Sequence, residues 1–197
     1  MRKVLSTSLK ALAATLAALV VTLGLYLGYL QLSANFAPVV PGEVYRSAQL
    51  SGKDLQAYAA RYGIRSVINL RGGALGKQWY DEEVAASQKL GIAHFDFGMS
   101  AGRELTQDQA AKLIALMEAA PKPLLIHCKA GADRSGLASA LYVAAVAHGG
   151  EEAAESQISL YYGHISLALS SAYAMDRTFE ALEPWLGFHD LTKKARL

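Results

Sequence analysis

A chain of 197 residues has room for one catalytic domain of ordinary size and a short appended segment. Its formal net charge is only +2 and its lysines and arginines are scattered, which excludes the broad basic face that nucleic-acid binding normally requires. The single cysteine, Cys128, excludes an intrachain disulfide and any zinc site built on two or more cysteines.

The first thirty residues predict a membrane-spanning helix. An apolar run from Ala11 to Leu30 has the 20 residues that a helix needs to cross a hydrocarbon core of roughly 30 Å. A cleavable secretory signal has a shorter apolar stretch of about 7–15 residues with small residues at the cut, a pattern that this segment fits poorly. The sequence therefore favours an uncleaved signal anchor that is formed by residues 1–30.

Basic residues predict the orientation of this helix. Arg2, Lys3 and Lys10 precede the apolar run, and no basic residue lies between Leu30 and Arg46. Because positive residues stay in the cytoplasm, we expect a single-pass inner-membrane protein with a cytoplasmic N-terminus and a catalytic domain in the bacterial periplasm. A lone cysteine suits that oxidising compartment, since it has no partner in its own chain.

The rest of the chain is predicted to be a linker, residues 31–41, and a catalytic domain, residues 42–197. In the domain, short apolar runs alternate with stretches of helical period, and Ser51 and Thr106 are predicted helix N-caps. This alternation predicts an α/β fold with a central sheet flanked by helices. The predicted strands are 44–47, 64–70, 92–97 and 124–126, and the predicted helices are 53–61, 79–90, 107–119, 135–147, 151–160 and 171–186.

The segment from His127 to Gly136 joins the last predicted strand to a helix. Ligands of open α/β sheets bind at this end of the strands. A loop of backbone N–H groups before a helix N-terminus binds phosphate, because free donors and the positive end of the helix dipole point at the same place. We therefore predict a phosphate-binding loop, in which Gly131 lets the backbone approach closely, formed by Lys129, Ala130, Gly131, Ala132 and Arg134.

The same loop carries the groups of a nucleophilic phosphatase. Most lone cysteines are small buried hydrophobes, but a thiol between a helix N-terminus and an arginine is held as the thiolate, so Cys128 is the predicted nucleophile. The planar fork of Arg134 can hold two phosphoryl oxygens and stabilise the charge of the transition state. Ser135 is predicted to donate to the sulfur as it leaves, and His127 to orient the loop by hydrogen bonding.

At these residues the sequence resembles the dual-specificity branch of the protein tyrosine phosphatase superfamily, whose signature is His-Cys, five residues, Arg, then Ser or Thr. Two further segments, 44–49 and 63–71, resemble the opening of bacterial members, so the resemblance extends over residues 42 to about 180. It implies a protein tyrosine phosphatase-like fold and a two-step mechanism without metal or cofactor. The histidines also lack the spacing of metal ligands.

The general acid is left open by this resemblance. Family members protonate the leaving oxygen with an Asp on a separate loop, and the corresponding residues here, 98–104, include no Asp. Asp133, immediately before Arg134, is the first choice, because the loop there resembles that of the myotubularin lipid phosphatases, which carry an Asp at that position. Glu104 and Asp96 are the alternatives.

The predicted activity is the hydrolysis of phosphomonoesters through a cysteinyl-phosphate, with phosphotyrosine or another phosphoprotein as the expected substrate. Because Lys129-Ala130-Gly131 resembles the tensin-homologue phosphatases of inositol lipids, a phosphoinositide or other small phosphorylated molecule is the alternative. Two readings of another class are an inactive, membrane-tethered phosphate-binding module and a sulfurtransferase. The presence of Arg134 and Ser135 argues against the sulfurtransferase, and the presence of Cys128 and Arg134 argues against the inactive module.

Overall fold

The computed structural model describes residues 2–188, with side chains from residue 9 onward, so the last part of the predicted domain, residues 189–197, lies outside the described residues. The chain divides into two compact units between Ser33 and Ala34. The first unit contains helix α1 (Arg2–Leu32). Its stretch Leu9–Leu32, with a mean hydropathy of 2.0, is long and apolar enough to span a membrane, a property that signal sequences share.

The second unit is built on a five-stranded sheet in the order β1-β2-β5-β3-β4. Strand β1 is antiparallel to β2, and the other neighbours are parallel. The predicted α/β class is therefore confirmed, and β5, the strand before the phosphate loop, lies at the centre. The strands are β1 (Ala37–Val40), β2 (Val44–Ser47), β3 (Ser66–Asn69), β4 (Ala93–Asp96) and β5 (Leu124–His127).

Two of the helices that flank the sheet begin at the predicted N-caps. Ser51 accepts a hydrogen bond from the backbone N–H of Asp54, and Thr106 forms a capping box with Gln109. The helices are α2 (Gly52–Tyr62), α3 (Gln78–Leu90), α4 (Gln107–Ala119), α5 (Asp133–Ala145), α6 (Glu151–Glu155) and α7 (Ala174–Leu182), with 3-10 turns at Leu160–Tyr162 and Ser171–Tyr173.

Three helices differ from their predicted bounds by two residues or more. Helix α5 begins at Asp133, two residues before the predicted start, so the end of the phosphate loop is already the first helical turn. Helix α6 ends at Glu155 instead of residue 160, because the hydroxyls of Ser156 and Ser159 bond nearby carbonyls in place of helical partners. The predicted helix 171–186 is a 3-10 turn followed by the shorter α7.

The predicted linker, residues 31–41, is corrected by the structure. Helix α1 runs to Leu32, and residues 37–40 form the edge strand β1, which packs Val39 and Val40 against the core. Pro38 fits an edge strand because a proline there leaves no ladder donor unpaired. Residues 37–40 therefore belong to the second unit.

The core positions the phosphate loop. One hydrophobic cluster lies between the sheet and helices α4, α5 and α7, and a second lies between the sheet and helices α2 and α3. Helix α5 is the most enclosed, since every residue from Ser135 to Ala144 is buried. The loop is thus fixed at both ends, by the central strand and by a buried helix.

Candidate active site

Cys128 follows the central strand and is almost fully buried, with 2% of its surface exposed. The backbone N–H of Leu70 donates to the carbonyl of His127 (2.9 Å), which ties the entry of the loop to the end of β3. The sequence prediction placed the thiol at a strand end beside a helix N-terminus, and the structure has it there.

The carbonyl groups of four consecutive loop residues are bound from behind. Gln49 N donates to Lys129 O (3.3 Å), Asn35 Nδ2 to Ala130 O (3.1 Å), and Arg46 Nη2 to Gly131 O (2.9 Å) and Ala132 O (3.0 Å). In a planar trans peptide the next N–H points the opposite way. The loop amides therefore face away from these donors, and no described hydrogen bond uses the N–H groups of residues 130–132. Such a set of free N–H groups is an anion-binding site.

Arg46 is the centre of this support. It is fully buried, donates from Nη1 to the carbonyl of Gln157 (2.7 Å), and places its Cζ 3.9 Å from the ring centre of Tyr162. Burial lowers the pKa of Arg46 to about 10, and Tyr162, Cys128 and Asp133 oppose that shift. Arg46 is therefore a cation at neutral pH, directly behind the loop.

The close contact between the loop and strand β2 requires a glycine at Gly131. Its φ of +72° is a conformation that side chains rarely adopt, and a Cβ there would lie 2.6 Å from the backbone N of Ala48 and 2.7 Å from the carbonyl carbon of Ser47. The close approach that the sequence predicted is thus between the loop and the adjoining strand.

Arg134 lies in the first turn of α5. Its Nη1 is 3.4 Å from the carbonyl oxygens of Leu70 and Met99, and its buried Nε has no hydrogen-bond partner among the described residues. A buried donor without a partner is unfavourable unless something binds it, and a guanidinium binds oxyanions well. Nε is therefore available for a phosphoryl oxygen.

His127 connects the loop to helix α3. Its Nε2 is 3.1 Å from Oε1 of Glu83, whose same oxygen is 2.8 Å from Nε2 of His94. Burial raises the pKa of Glu83, but the hydrogen bonds from the two histidines outweigh it and hold the pKa at about 2. Glu83 also accepts from Gln49, the residue that supports Lys129.

Arg71 lies at the edge of the same network. Its Nη1 donates to Oε1 of Gln49 (2.9 Å) and its Cζ is 3.3 Å from the ring centre of Trp79. Burial lowers the pKa of Arg71, and the neighbouring charge of Arg134 lowers it further. The charges of Arg71 and Arg134 therefore affect each other, and two such cations favour the binding of an anion.

The three candidate acids lie in different surroundings. Asp133 is in the first turn of α5, with Oδ1 2.8 Å from Nδ1 of His164. Glu104 forms a half-exposed ion pair with Arg177.

Asp96 is bound at both oxygens. It accepts from Nδ2 of Asn69 (2.7 Å) and from the hydroxyl of Tyr80, and that hydrogen bond raises the pKa of Tyr80 to about 12. Of the three carboxylates, only Asp133 adjoins Arg134 in the loop itself.

Two further predicted site residues have plain positions. Ser135 is fully buried, with its hydroxyl 3.5 Å from the carbonyl of Ser47, and no described hydrogen bond joins it to the sulfur of Cys128. Lys129 is exposed, without a hydrogen bond from its side chain among those described. Their roles toward sulfur and phosphate stay predictions.

The sequence analysis missed the residues behind the loop. Arg46 and Gln49 lie in a segment that contributed only to the resemblance, and Asn35 fell in the predicted linker. Glu83 lies on the buried face of α3 together with Ser87, and a carboxylate on the apolar face of a predicted helix is the signal that could have identified it.

The fold of this chain is similar to that of known proteins. The fold is similar to that of TpbA from P. aeruginosa (TM-score 0.61, 21% identity, 79% of this chain and 92% of that chain). It is similar also to the core catalytic domain of the PP-IP phosphatase SIW14 from S. cerevisiae (0.56, 18%, 78% and 93%) and to PTPMT1 (0.53, 17%, 77% and 98%). No curated protein sequence matches the chain significantly.

The sequence itself identifies the family. Residues 24–155, more than half of the chain, match the tyrosine phosphatase family, and this range includes the central sheet, the cysteine loop and helix α5. The chain therefore belongs to the tyrosine phosphatase family.

Proposed function

We propose that this protein hydrolyses phosphomonoesters through a cysteinyl-phosphate intermediate. The observation that carries the proposal is the loop in which four carbonyls are bound from behind, so that the amides face the space between Cys128 and Arg134. A phosphoryl group held there has a sulfur nucleophile on one side and donors around its equatorial oxygens.

In the first step, the thiolate of Cys128 attacks phosphorus, a sulfur–phosphorus bond forms, and the bond to the leaving oxygen breaks. Arg134 and the loop amides stabilise the charge on the equatorial oxygens. Asp133 donates its proton to the leaving oxygen, which departs as the alcohol or phenol.

In the second step, water attacks the cysteinyl-phosphate and the sulfur–phosphorus bond breaks. The Asp133 carboxylate accepts a proton from that water, and Cys128 leaves as the thiolate. In the role predicted from the sequence, the Ser135 hydroxyl donates to the departing sulfur, which requires it to turn from the carbonyl of Ser47. Phosphate is released and the starting protonation states are restored.

Phosphotyrosine in a protein is the proposed substrate. TpbA, which has a similar fold, was crystallised in complex with phosphotyrosine. A phosphoinositide or another small phosphorylated molecule is the second candidate, because exposed Lys129 and Arg71, which shares the electrostatic environment of Arg134, place extra positive charge beside the cradle. SIW14, which has a similar fold, is a PP-IP phosphatase, an activity that fits this candidate.

We also propose that helix α1 remains as a membrane anchor. Its apolar stretch of 24 residues is longer than the apolar part of a cleavable signal, about 7–15 residues. With Arg2, Lys3 and Lys10 on the cytoplasmic side, the catalytic unit lies in the periplasm. Protease accessibility in intact and permeabilised spheroplasts tests this topology, and digestion of the catalytic unit only after disruption of the inner membrane would contradict it.

The chemistry is tested with the full chain in detergent, a chromogenic aryl phosphate and a metal chelator. We expect turnover by the unaltered protein and none by Cys128→Ser. The variant should keep the unfolding temperature of the unaltered protein and its binding of inorganic phosphate. Phosphate binding without turnover in both proteins would contradict the enzyme and favour a tethered phosphate-binding module. Turnover retained by Cys128→Ser would contradict the cysteine mechanism.

The substrate is tested by letting the two candidate substrates compete at equal concentrations of their phosphoryl groups. We expect kcat/KM for a phosphotyrosine peptide to exceed that for phosphoinositide in mixed micelles. The reverse order would favour the lipid substrate and leave the chemistry unchanged.

A further inference from the structure

Asp133 is the outer end of a buried hydrogen-bonded chain. Its Oδ1 is 2.8 Å from Nδ1 of His164, and the other ring nitrogen, Nε2, is 2.8 Å from Oδ2 of Asp176 in α7. The His164 side chain is fully buried, whereas 31% of the Asp133 side chain and 13% of the Asp176 side chain are exposed. One ring therefore joins the phosphate loop to a helix 43 residues further along the chain.

The inner end of this hydrogen-bonded chain, Asp176, is fixed. The second oxygen of Asp176, Oδ1, accepts a hydrogen bond from the hydroxyl of Ser166 (2.7 Å). Asp176 thus has a partner on each oxygen, which fixes the plane of its carboxylate and, through Nε2, the orientation of the His164 ring. Second partners of this kind hold a catalytic group within the tolerance that chemistry requires.

The outer end of the chain is free on one side. Oδ1 of Asp133 bonds His164, and no hydrogen bond to Oδ2 occurs among the described residues. One carboxyl oxygen is therefore anchored while the other can carry a proton.

We propose that His164, held by Asp176, is a positioning residue that orients the carboxyl group of Asp133 for proton transfer to and from the phosphate cradle. The inference rests on the proposed role of Asp133 as the general acid. Asp133 Oδ2 loses its proton to the leaving oxygen and regains one from the attacking water. His164 exchanges no proton, and its Nδ1–H stabilises the Asp133 carboxylate between the two steps.

The electrostatics fit this role. Burial lowers the pKa of His164, but the hydrogen bonds and charges of Asp133 and Asp176 outweigh it and raise the pKa above its usual value. A protonated ring presents an N–H to each carboxylate.

A purely structural role for His164 predicts different kinetics. The ring joins the segment around residue 164 to α5 and α7, so its loss could weaken packing alone. Such a loss would slow all substrates alike and would add to the effect of removing Asp133. Loss of a positioning residue slows the reactions that need an acid and has no further effect once the acid is gone.

The experiment compares phenyl phosphate, a poor leaving group, with p-nitrophenyl phosphate, a good one. In the full chain we expect His164→Ala to lower kcat for phenyl phosphate by about tenfold to a hundredfold, which is part of the factor of about 10²–10⁴ that general acid–base catalysis contributes. For p-nitrophenyl phosphate we expect less than about a threefold change, because that leaving group needs little protonation. His164→Asn, whose amide can replace Nδ1–H, should recover most of the loss, and His148→Asn, at an exposed histidine, should change nothing.

The double variant Asp133→Asn/His164→Ala should be no slower than Asp133→Asn alone. Additive losses, equal losses on both substrates, or no loss would overturn the role of His164. If His164→Ala does not fold, Asp176→Asn provides the same comparison with a nearly unchanged side-chain shape. If Asp133→Asn itself slows both substrates equally, the acid assignment fails, and the role of His164 fails with it.

Discussion

Replacement of Arg46 by methionine removes the support behind the phosphate loop and nearly preserves side-chain volume. Arg46 donates to the carbonyls of Gln157, Gly131 and Ala132, at 2.7, 2.9 and 3.0 Å. Ala132 keeps a second donor, the backbone N–H of Gly136 (2.8 Å), so the carbonyls of Gln157 and Gly131 lose their only described donor.

The magnitude follows from these two carbonyls. A buried polar group left unsatisfied costs about 1–3 kcal/mol, and relief from burying the guanidinium offsets part of that cost, so we expect a loss of about 2–4 kcal/mol in the free energy of unfolding. At about 2–4 °C per kcal/mol for a domain of this size, Tm should fall by about 5–15 °C. Because the amides after Gly131 and Ala132 lose their fixed orientation, kcat/KM should fall at least about tenfold, or about 1.4 kcal/mol.

The assay combines thermal unfolding with aryl phosphate kinetics below the lowered Tm. Arg65→Met is the matched control, since Arg65 is exposed just before β3, and its stability should change by less than about 0.5 kcal/mol. Stability and kcat/KM both at the wild-type level in Arg46→Met would refute the support of the loop by Arg46. Lost stability with normal kcat/KM would refute the orientation of the amides.

Three further substitutions test other parts of the site. Arg134→Lys should lower kcat at least about a hundredfold and weaken phosphate binding, because an ammonium cannot bind two oxygens in the plane of a fork; unchanged kinetics would remove Arg134 from the cradle. The pKa of Glu83 is about 2 in the folded protein, against a usual value of 4.5, so its ionisation contributes on the order of 3 kcal/mol of stability above pH 4.5 that is lost as pH falls toward 2. The stability advantage over Glu83→Gln in urea unfolding should therefore shrink over that interval, and a constant advantage would contradict the histidine bonds. Asp96→Asn should lower stability through Asn69 and Tyr80 and leave the leaving-group dependence of kcat unchanged, whereas a selective loss on phenyl phosphate would make Asp96 the acid.

The helices could be predicted because their signals are local. Capping side chains, a final glycine and an apolar period all lie within one helix, as at Ser51, Thr106 and Gly91. Strand β1 could not be predicted, because Pro38 and Pro41 are typical of a linker and the edge position that tolerates Pro38 is a property of the assembled sheet. Because strand β1 was not predicted, the contact of its neighbour Asn35 with the loop was not predicted either.

The candidate site, like the fold, has one part that could be predicted from the sequence and one part that could not. Cys128, Asp133 and Arg134 lie within seven residues, so a motif brings them to attention. The groups that support them are far away in sequence: Asn35 is 95 residues from the carbonyl that it binds and Arg46 is 85 residues from Gly131. Their partners are backbone carbonyls, which carry no sequence signal. His164 lies in a segment of short turns, where helical period gives no indication of its direction.

Under the proposed mechanism, the position of Asp133 accounts for the absence of an aspartate in residues 98–104. That loop contacts the site through its backbone, with the Met99 carbonyl 3.4 Å from Arg134 Nη1, while Glu104 pairs with Arg177. An acid on a separate loop must be brought to the leaving group when that loop closes. Asp133 belongs instead to the first turn of a buried helix, so under the proposed mechanism the acid and the cradle form one rigid body. A rigid acid cannot correct its own alignment, which gives a physical reason for the buried pair His164 and Asp176 to fix it.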